Sequence, residues 1–215
     1  MPTSDYHQIS DVLHVVQQVD PKTVLDVGVG FGKWGILCRE ILEVYNSRVS
    51  PESWKLRIDG IEIHEPYRNQ LWDFAYNQVH IGDAVTIIDE VGTYDLILCC
   101  DVIEHFEKSA GLEFIENLLL HGKMLIITSP RGFVQQGAIY DNEFERHRSG
   151  WGHADFRPFP HLYKEIGFTF MAVLGADSSR LRRIDVMHPL RVLGVKKGAR
   201  ELSKLVACRI RERLS

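Results

Sequence analysis

The sequence predicts a single α/β domain with a doubly wound, mostly parallel sheet. Segments typical of strands alternate with segments typical of helices through five cycles, which is the pattern of that architecture. Several of the strand segments are continuous apolar runs, as expected for strands that both faces of a parallel sheet bury. The length of 215 residues, with 45% hydrophobic and 25% charged residues, suits one globular domain of this class.

The first three predicted elements are a helix, a buried strand and a second helix. Apolar residues recur at helical spacing through residues 4–19, and Pro21 ends this helix. Residues 23–27 are mostly β-branched and aliphatic, which favours a strand. Residues 33–45 again have helical spacing. A strand, turn and helix in this order can hold a nucleotide-like ligand at the N-terminus of the helix.

The turn between that strand and the second helix indicates the kind of ligand. Gly28, Gly30 and Gly32 permit positive φ and let a ligand approach the backbone closely. A dinucleotide fingerprint requires glycine at the sixth position, which is Lys33 here, so a nicotinamide dehydrogenase is disfavoured. Asp26 precedes the turn, where its charge would repel a pyrophosphate and attract an ammonium group. The pattern therefore favours a zwitterionic ligand with a positive charge.

An acid followed by Gly-x-Gly-x-Gly resembles the first motif of the class I S-adenosylmethionine-dependent methyltransferases. The resemblance implies a Rossmann-like sheet of seven strands and S-adenosylmethionine as the cofactor. It also implies that Asp26 lies near the methionine end and that Gly28, Gly30 and Gly32 lie against the cofactor. A helix at residues 4–19 would then act as a lid.

Acids at the ends of the next two predicted strands extend this interpretation. A loop insertion over residues 46–55 precedes a strand over residues 56–63, and Glu62 at its carboxyl end is placed to bind two ribose hydroxyls. The resemblance places Asp83, with Ala84 beside it, at the adenine amino group. The alternative for Asp83 is an ordinary turn and helix cap.

The fourth predicted strand, residues 94–100, ends in a segment that resembles the fourth motif of quinone-biosynthesis O-methyltransferases. Asp101 and Val102 begin that segment, and we expect both to contact the cofactor. No proline follows Asp101, so methylation of nucleobase amino groups is disfavoured. Cys99 and Cys100 lie at the apolar strand end and are interpreted as packing residues rather than nucleophiles.

Glu104 and His105, which follow in the same segment, raise the question of a metal. Some quinone-type relatives bind a divalent cation near this position. The sequence offers no third ligand at a defined spacing, so it predicts no metal site.

A long polar loop over residues 131–157 is the candidate acceptor site, since loops of this length in compact domains are usually functional or disordered. We expect Tyr140, Phe144 and Trp151 to line an acceptor pocket. His147, His153 and, outside the loop, His105 are candidate bases, in that order, because a histidine pKa lies near neutral pH. The alternative is a surface loop with hydrogen-bonded histidines.

The remaining segments predict a helix over residues 159–166, a strand over residues 168–174 and an antiparallel seventh strand over residues 184–187. Residues 178–215 hold eleven Lys and Arg against three acids, a net charge of +8 that leaves −12 for the body. An amphipathic basic helix is predicted over residues 196–214. It could bind nucleic acid or an anionic membrane, or pack on the acidic body.

Together these observations predict a methyltransferase-like domain over residues 1–177 and a basic C-terminal extension over residues 178–215. The predicted function is methyl transfer from S-adenosylmethionine to an oxygen or nitrogen of a small-molecule acceptor. The alternatives are an RNA-directed methyltransferase that uses the basic tail and a catalytically idle binding module. No signal peptide or membrane span is apparent and the four cysteines have no paired spacing, so a cytoplasmic location is expected, with the oligomeric state open.

Overall fold

Seven strands form one sheet in the order β3-β2-β1-β4-β5-β7-β6, in a computed structural model that describes residues 4–175 and 178–186. Strands β1 to β5 are parallel, and β7 runs antiparallel between β5 and β6. The elements are α1 Ile9–Val19, β1 Thr23–Val27, α2 Lys33–Leu42, β2 Arg57–Glu62, α3 Gln70–Ala75, β3 Gln78–Ile81, α4 Ala84–Val91, β4 Tyr94–Cys100, α5 Lys108–His121, β5 Gly122–Pro130, β6 His161–Ile166, β7 Thr169–Gly175 and α6 Ser178–Leu181. The predicted α/β class and doubly wound sheet are confirmed.

Each face of the sheet carries its own apolar core. Alternate residues of the central strands point to opposite faces, so Val24 packs with α1, α2 and α3, whereas Leu25 packs with α4 and α5. Strands β1 and β4 are buried along most of their length because helices cover both faces. This explains why their sequences are continuous apolar runs.

The C-terminal part of the sheet differs from the sequence prediction. A helix is predicted over residues 159–166, but residues 161–166 form the edge strand β6, and residues 184–186 are not in a strand. Phe159, Leu162, Tyr163 and Ile166 have helical spacing, but in the strand Leu162 and Ile166 meet one core while Tyr163 meets the other. An edge strand with apolar residues on both faces can thus show the apolar spacing of a helix in its sequence. The predicted tail helix over residues 196–214 lies outside the described residues.

Among residues 4–175 and 178–186, no helix has the length and apolar character that crossing a bilayer would require.

Candidate functional site

A cavity opens where the central parallel strands end, and it occupies about 1070 Å³ with its open mouth included. Crevices at this edge of a doubly wound sheet are where such folds bind ligands. The turns after β1, β2, β3 and β4 form one wall, which we call the strand-end half. The other wall, which we call the loop half, is formed by His105, Phe106, Asn142, Phe144, Glu145 and Arg148. Seven of the predicted cofactor residues line the cavity, namely Gly28, Gly30, Glu62, Asp83, Ala84, Asp101 and Val102.

The side chain of Glu62 fixes the conformation of the glycine turn through backbone hydrogen bonds. One Glu62 oxygen accepts a hydrogen bond from the Gly30 N–H at 2.8 Å, and the other accepts one from the His64 N–H at 2.8 Å. Gly28 has a φ of +78°, and a Cβ atom built there would lie 2.5 Å from Cγ2 of Val102. Only glycine therefore fits that position without displacing Val102. Burial raises the pKa of Glu62 above its usual range.

Asp26 and Gly32, the two other predicted cofactor residues, lie behind the cavity wall. Asp26 is 1% exposed, and its Oδ2 accepts a hydrogen bond from the Tyr76 hydroxyl at 2.6 Å. Tyr76 in turn accepts one from the Gly35 N–H at 3.0 Å, so Asp26 is tied to the first turn of α2. Burial raises the Asp26 pKa to about 7, and its Oδ1 has no hydrogen-bond partner. Gly32 precedes α2 with a φ of +91°.

Asp83 and Asp101 occupy the ends of β3 and β4 by different local means. Asp83 caps α4, since its side chain accepts a hydrogen bond from the Val85 N–H at 2.9 Å. Asp101 has a φ of +57°, and its carboxylate accepts bonds from the Asp5 N–H at 3.1 Å and from Gln8 at 2.8 Å. The segment before α1 is thus fixed across the end of β4. Burial raises the Asp101 pKa.

The loop half is assembled by the long connection between β5 and β6. The Glu104 carbonyl oxygen accepts hydrogen bonds from the N–H groups of Arg148 and Ser149, at 2.8 and 3.1 Å. Trp151 is 1% exposed and donates its indole N–H to the Ile103 carbonyl at 3.1 Å. These bonds bring the loop back over the end of β4.

Of the three aromatic residues predicted to line an acceptor pocket, Phe144 lines the cavity. Trp151 is buried behind the cavity as an anchor, and Tyr140 is 68% exposed outside its lining.

The three candidate bases separate into two places. His105 lines the cavity, and its ring centroid lies 5.1 Å from that of His147. His153 lies instead beside β6, where it stacks on Tyr163 and contacts His161, with 3.0 Å between the two Nε2 atoms. Burial lowers the pKa of His105, which therefore favours its neutral form.

Glu104, His105 and His147 form a compact group of potential metal ligands. One ligand atom from each lies within 4.8 Å of the other two. His105 Nδ1 is 3.2 Å from the Arg146 carbonyl oxygen and His147 Nδ1 is 2.7 Å from the Val134 carbonyl oxygen, so each Nδ1 donates and each Nε2 keeps its lone pair. Oε2 of Glu104 is buried without a hydrogen-bond partner. His147 is thus a third potential ligand, which the sequence pattern lacked.

Several cavity residues were missed from the sequence. Tyr67, Asn142 and Glu145 form one hydrogen-bonded group, in which the Tyr67 hydroxyl donates to Glu145 at 3.0 Å and accepts from Asn142 at 3.1 Å. Lys33 and Arg148 also line the cavity. Tyr67 is more than 70 residues from its partners, so no local pattern could have identified the group. Lys33 could have been identified from the sequence, because it stands where a dinucleotide fingerprint has its third glycine.

Solved structures identify this fold. No protein-family model and no curated protein matches the sequence. The methyltransferase domain of bacterial CtHen1 superposes with a TM-score of 0.51 at 18% identity, over 79% of this chain and 97% of that one. The chain has the fold of the class I methyltransferases. Magnesium protoporphyrin IX methyltransferase (ChlM) from Synechocystis, solved with bound S-adenosylhomocysteine, gives a TM-score of 0.52 at 16% identity, over 79% and 81% of the two chains.

A putative O-methyltransferase from Nostoc punctiforme is also similar, with a TM-score of 0.55 at 15% identity. The match covers 78% of this chain but 55% of that one, so the chain spans about half the length of that protein.

Proposed function

We propose that this chain is an S-adenosylmethionine-dependent methyltransferase that acts on an oxygen or nitrogen of a small-molecule acceptor. The proposal rests on the strand-end half of the cavity. There the Glu62 carboxylate lines the cavity and accepts a hydrogen bond from the Gly30 N–H of the glycine turn. A carboxylate there, with spare lone pairs toward the cavity, suits a ribose diol. The fold shared with methyltransferases solved with S-adenosylhomocysteine supports the same assignment.

The residues of the chain divide the work between the two halves. When bound, S-adenosylmethionine supplies a methyl group on a sulfonium, whose S–CH₃ bond breaks as the bond to the acceptor forms. Glu62 and Asp83 orient the nucleoside, and the turn at Gly28 lets it lie against the backbone. His105 accepts the acceptor proton at Nε2, because its Nδ1 is engaged with the Arg146 carbonyl oxygen. His147 beside it is the second candidate.

The group formed by Glu104, His105 and His147 also fits a divalent cation. These residues would hold it through a carboxylate oxygen and two Nε2 atoms. His105 would then be a ligand instead of the base, and the cation would lower the pKa of an acceptor hydroxyl. The unpartnered buried Oε2 of Glu104 supports this fit.

Thermal unfolding with and without ligand tests the proposal. S-adenosylhomocysteine at 100 times its dissociation constant should stabilise the chain by about 2.7 kcal/mol, whereas NAD at the same concentration should not. The matched controls are Glu62→Gln, which should reduce the shift, and Glu65→Gln, an exposed neighbour outside the cavity lining, which should preserve it. Stabilisation by NAD without stabilisation by S-adenosylhomocysteine would overturn the proposal.

A catalytically idle binding module would give the same thermal shift, so turnover needs its own measurement. Release of S-adenosylhomocysteine should be followed with fractionated metabolite extracts as the source of acceptors. An active fraction should lose its effect with His105→Ala. Binding without turnover in all fractions would favour the idle module.

A further inference from the structure

Arg148 is a charged cavity residue that has no charged partner within the described part of the chain. Its side chain is exposed at the cavity wall, and within the described part of the chain it has neither a hydrogen bond nor an ion pair. Lys33, which also lines the cavity, donates to the Ser4 carbonyl oxygen. By contrast, Arg146, two residues before Arg148, is paired with Glu143 at 2.9 Å.

The backbone of Arg148 is hydrogen-bonded, whereas its side chain makes no hydrogen bond or ion pair within the described part of the chain. Its backbone N–H donates to the Glu104 carbonyl oxygen at 2.8 Å, and Glu104 is the residue before His105. The loop is held at the same point by buried Trp151. The backbone of Arg148 is therefore held against the segment that carries His105. From there its guanidinium can extend toward a ligand in the cavity.

The surroundings of Arg148 indicate the chemistry of that ligand. Phe106 and Phe144 line the same half of the cavity and offer apolar contact, while Asn142 and Glu145 are engaged with the Tyr67 hydroxyl. Of the two cavity residues Lys33 and Arg148, Lys33 is engaged with the Ser4 carbonyl oxygen, whereas Arg148 makes no side-chain hydrogen bond or ion pair within residues 4–175 and 178–186 and can therefore bind an acid. Its five donors in a planar fork match a carboxylate or a phosphate.

We propose that Arg148 selects an acidic acceptor, a small molecule with an apolar body and a carboxylate or phosphate group. The inference rests on the proposed function, because it assigns the loop half of the cavity to the acceptor. The acid would bind the guanidinium in a bidentate manner, and the reacting oxygen or nitrogen would then lie toward His105. Arg148 is therefore a positioning and specificity residue and takes no proton.

The test uses the full chain loaded with S-adenosylhomocysteine and three probes, benzoate, phenyl phosphate and neutral benzamide, followed by calorimetry or ligand-observed NMR. One or both anions should bind at least about tenfold more tightly than benzamide, and the stronger of the two identifies the acid. Arg148→Gln should reduce this preference to within about twofold. Arg148→Lys, which keeps the charge without the fork, should retain part of it.

Arg157→Gln is the matched control. Arg157 is an exposed arginine of the same loop that also has no side-chain partner among the described residues, but it does not line the cavity, so its replacement should leave the preference unchanged. Absence of an anion preference in the unmodified chain, or its survival in Arg148→Gln, would overturn the inference. Because S-adenosylhomocysteine binding is measured first on each sample, failure at that step counts against the proposed function instead.

Discussion

The two halves of the cavity are built in different ways. In the strand-end half, Glu62 is the last residue of β2, and Gly28 and Gly30 lie in the turn that begins directly after β1, so the sheet itself sets their positions. In the loop half, His105 and Arg148 come from segments 43 positions apart that meet through hydrogen bonds to the Glu104 carbonyl oxygen. One half is thus part of the scaffold, and the other depends on a loop being held against it.

This difference predicts that the two halves respond separately to substitution. Residues of a parallel sheet with both faces covered have little freedom to move, whereas a loop anchored at a few points can detach while the sheet stays folded. Changes to the loop anchor should therefore alter acceptor recognition more than binding of S-adenosylhomocysteine, and changes at the strand ends should do the reverse.

Removing the loop anchor should have the largest effect. Trp151→Ala deletes a buried ring that donates to the Ile103 carbonyl and packs against Phe156, so we expect the free energy of unfolding to fall by roughly 3 to 5 kcal/mol. Urea unfolding measures the loss. Phe168→Ala, at an 84% exposed aromatic residue, should cost less than about 0.5 kcal/mol.

The same variant distinguishes the halves. At a temperature where Trp151→Ala remains folded, its affinity for S-adenosylhomocysteine should stay within a few-fold of the unmodified chain. If Trp151→Ala instead loses its affinity for S-adenosylhomocysteine while the sheet remains folded, the two halves form one cooperative unit.

The second effect concerns Asp26 and the pH dependence of stability. Burial raises its pKa from 3.8 to about 7 in the folded chain, so the folded state holds a proton that the unfolded state has already released. The stability contribution is therefore complete below about pH 4 and is lost as the pH rises to about 7. Between pH 5 and pH 8 the unmodified chain should lose roughly 2 to 3 kcal/mol more than Asp26→Asn.

Urea unfolding at the two pH values gives the comparison. Asp73→Asn, at an exposed acid on α3, should follow the unmodified chain. If Asp26→Asn keeps the same slope with pH, the buried carboxyl is ionised in the folded chain and the Tyr76 hydrogen bond stabilises its charge instead.

The third effect concerns the affinity of the strand-end half for S-adenosylhomocysteine. Glu62→Gln replaces a carboxylate that accepts N–H bonds from Gly30 and His64 with an amide that can accept at one atom only. Affinity for S-adenosylhomocysteine should fall by roughly tenfold to a hundredfold, which calorimetry measures. Anion binding at Arg148 in the remaining loaded fraction should not change. Unaltered S-adenosylhomocysteine affinity would place the nucleoside elsewhere.

The contrast between the halves also explains what the sequence reveals. The segment predicted as the fourth strand, residues 94–100, coincides with β4, because a short continuous apolar run bounded by turns is typical of a buried parallel strand. Acids at the carboxyl ends of such strands, such as Glu62 and Asp101, could then be placed at the same edge of the sheet. Position relative to a buried strand is a local property.

The loop half has no such local signal. Its geometry depends on which carbonyl groups accept the N–H groups of Arg148 and Ser149, and that choice is made between residues far apart in the chain. Sequence reasoning accordingly ranked His153 above His105, although the turn at Gly152–Phe156 directs His153 toward β6. It also read β6 as a helix, since apolar residues on both faces of an edge strand can repeat with helical spacing.

The smallest expected effect tests whether the two halves are joined by a cation. His147 comes from the loop, whereas Glu104 and His105 follow β4, so a bound cation would tie the loop to the strand end. MnCl₂ or MgCl₂ at ten times its dissociation constant should stabilise the chain by about 1.4 kcal/mol. His147→Gln should abolish the shift, and His153→Gln, beside β6, should preserve it. The stabilisation should weaken at low pH, because both imidazoles must be neutral to bind the cation. An equal shift in both variants would mean that the cation binds elsewhere and that the loop is held by the Glu104 carbonyl and Trp151 alone.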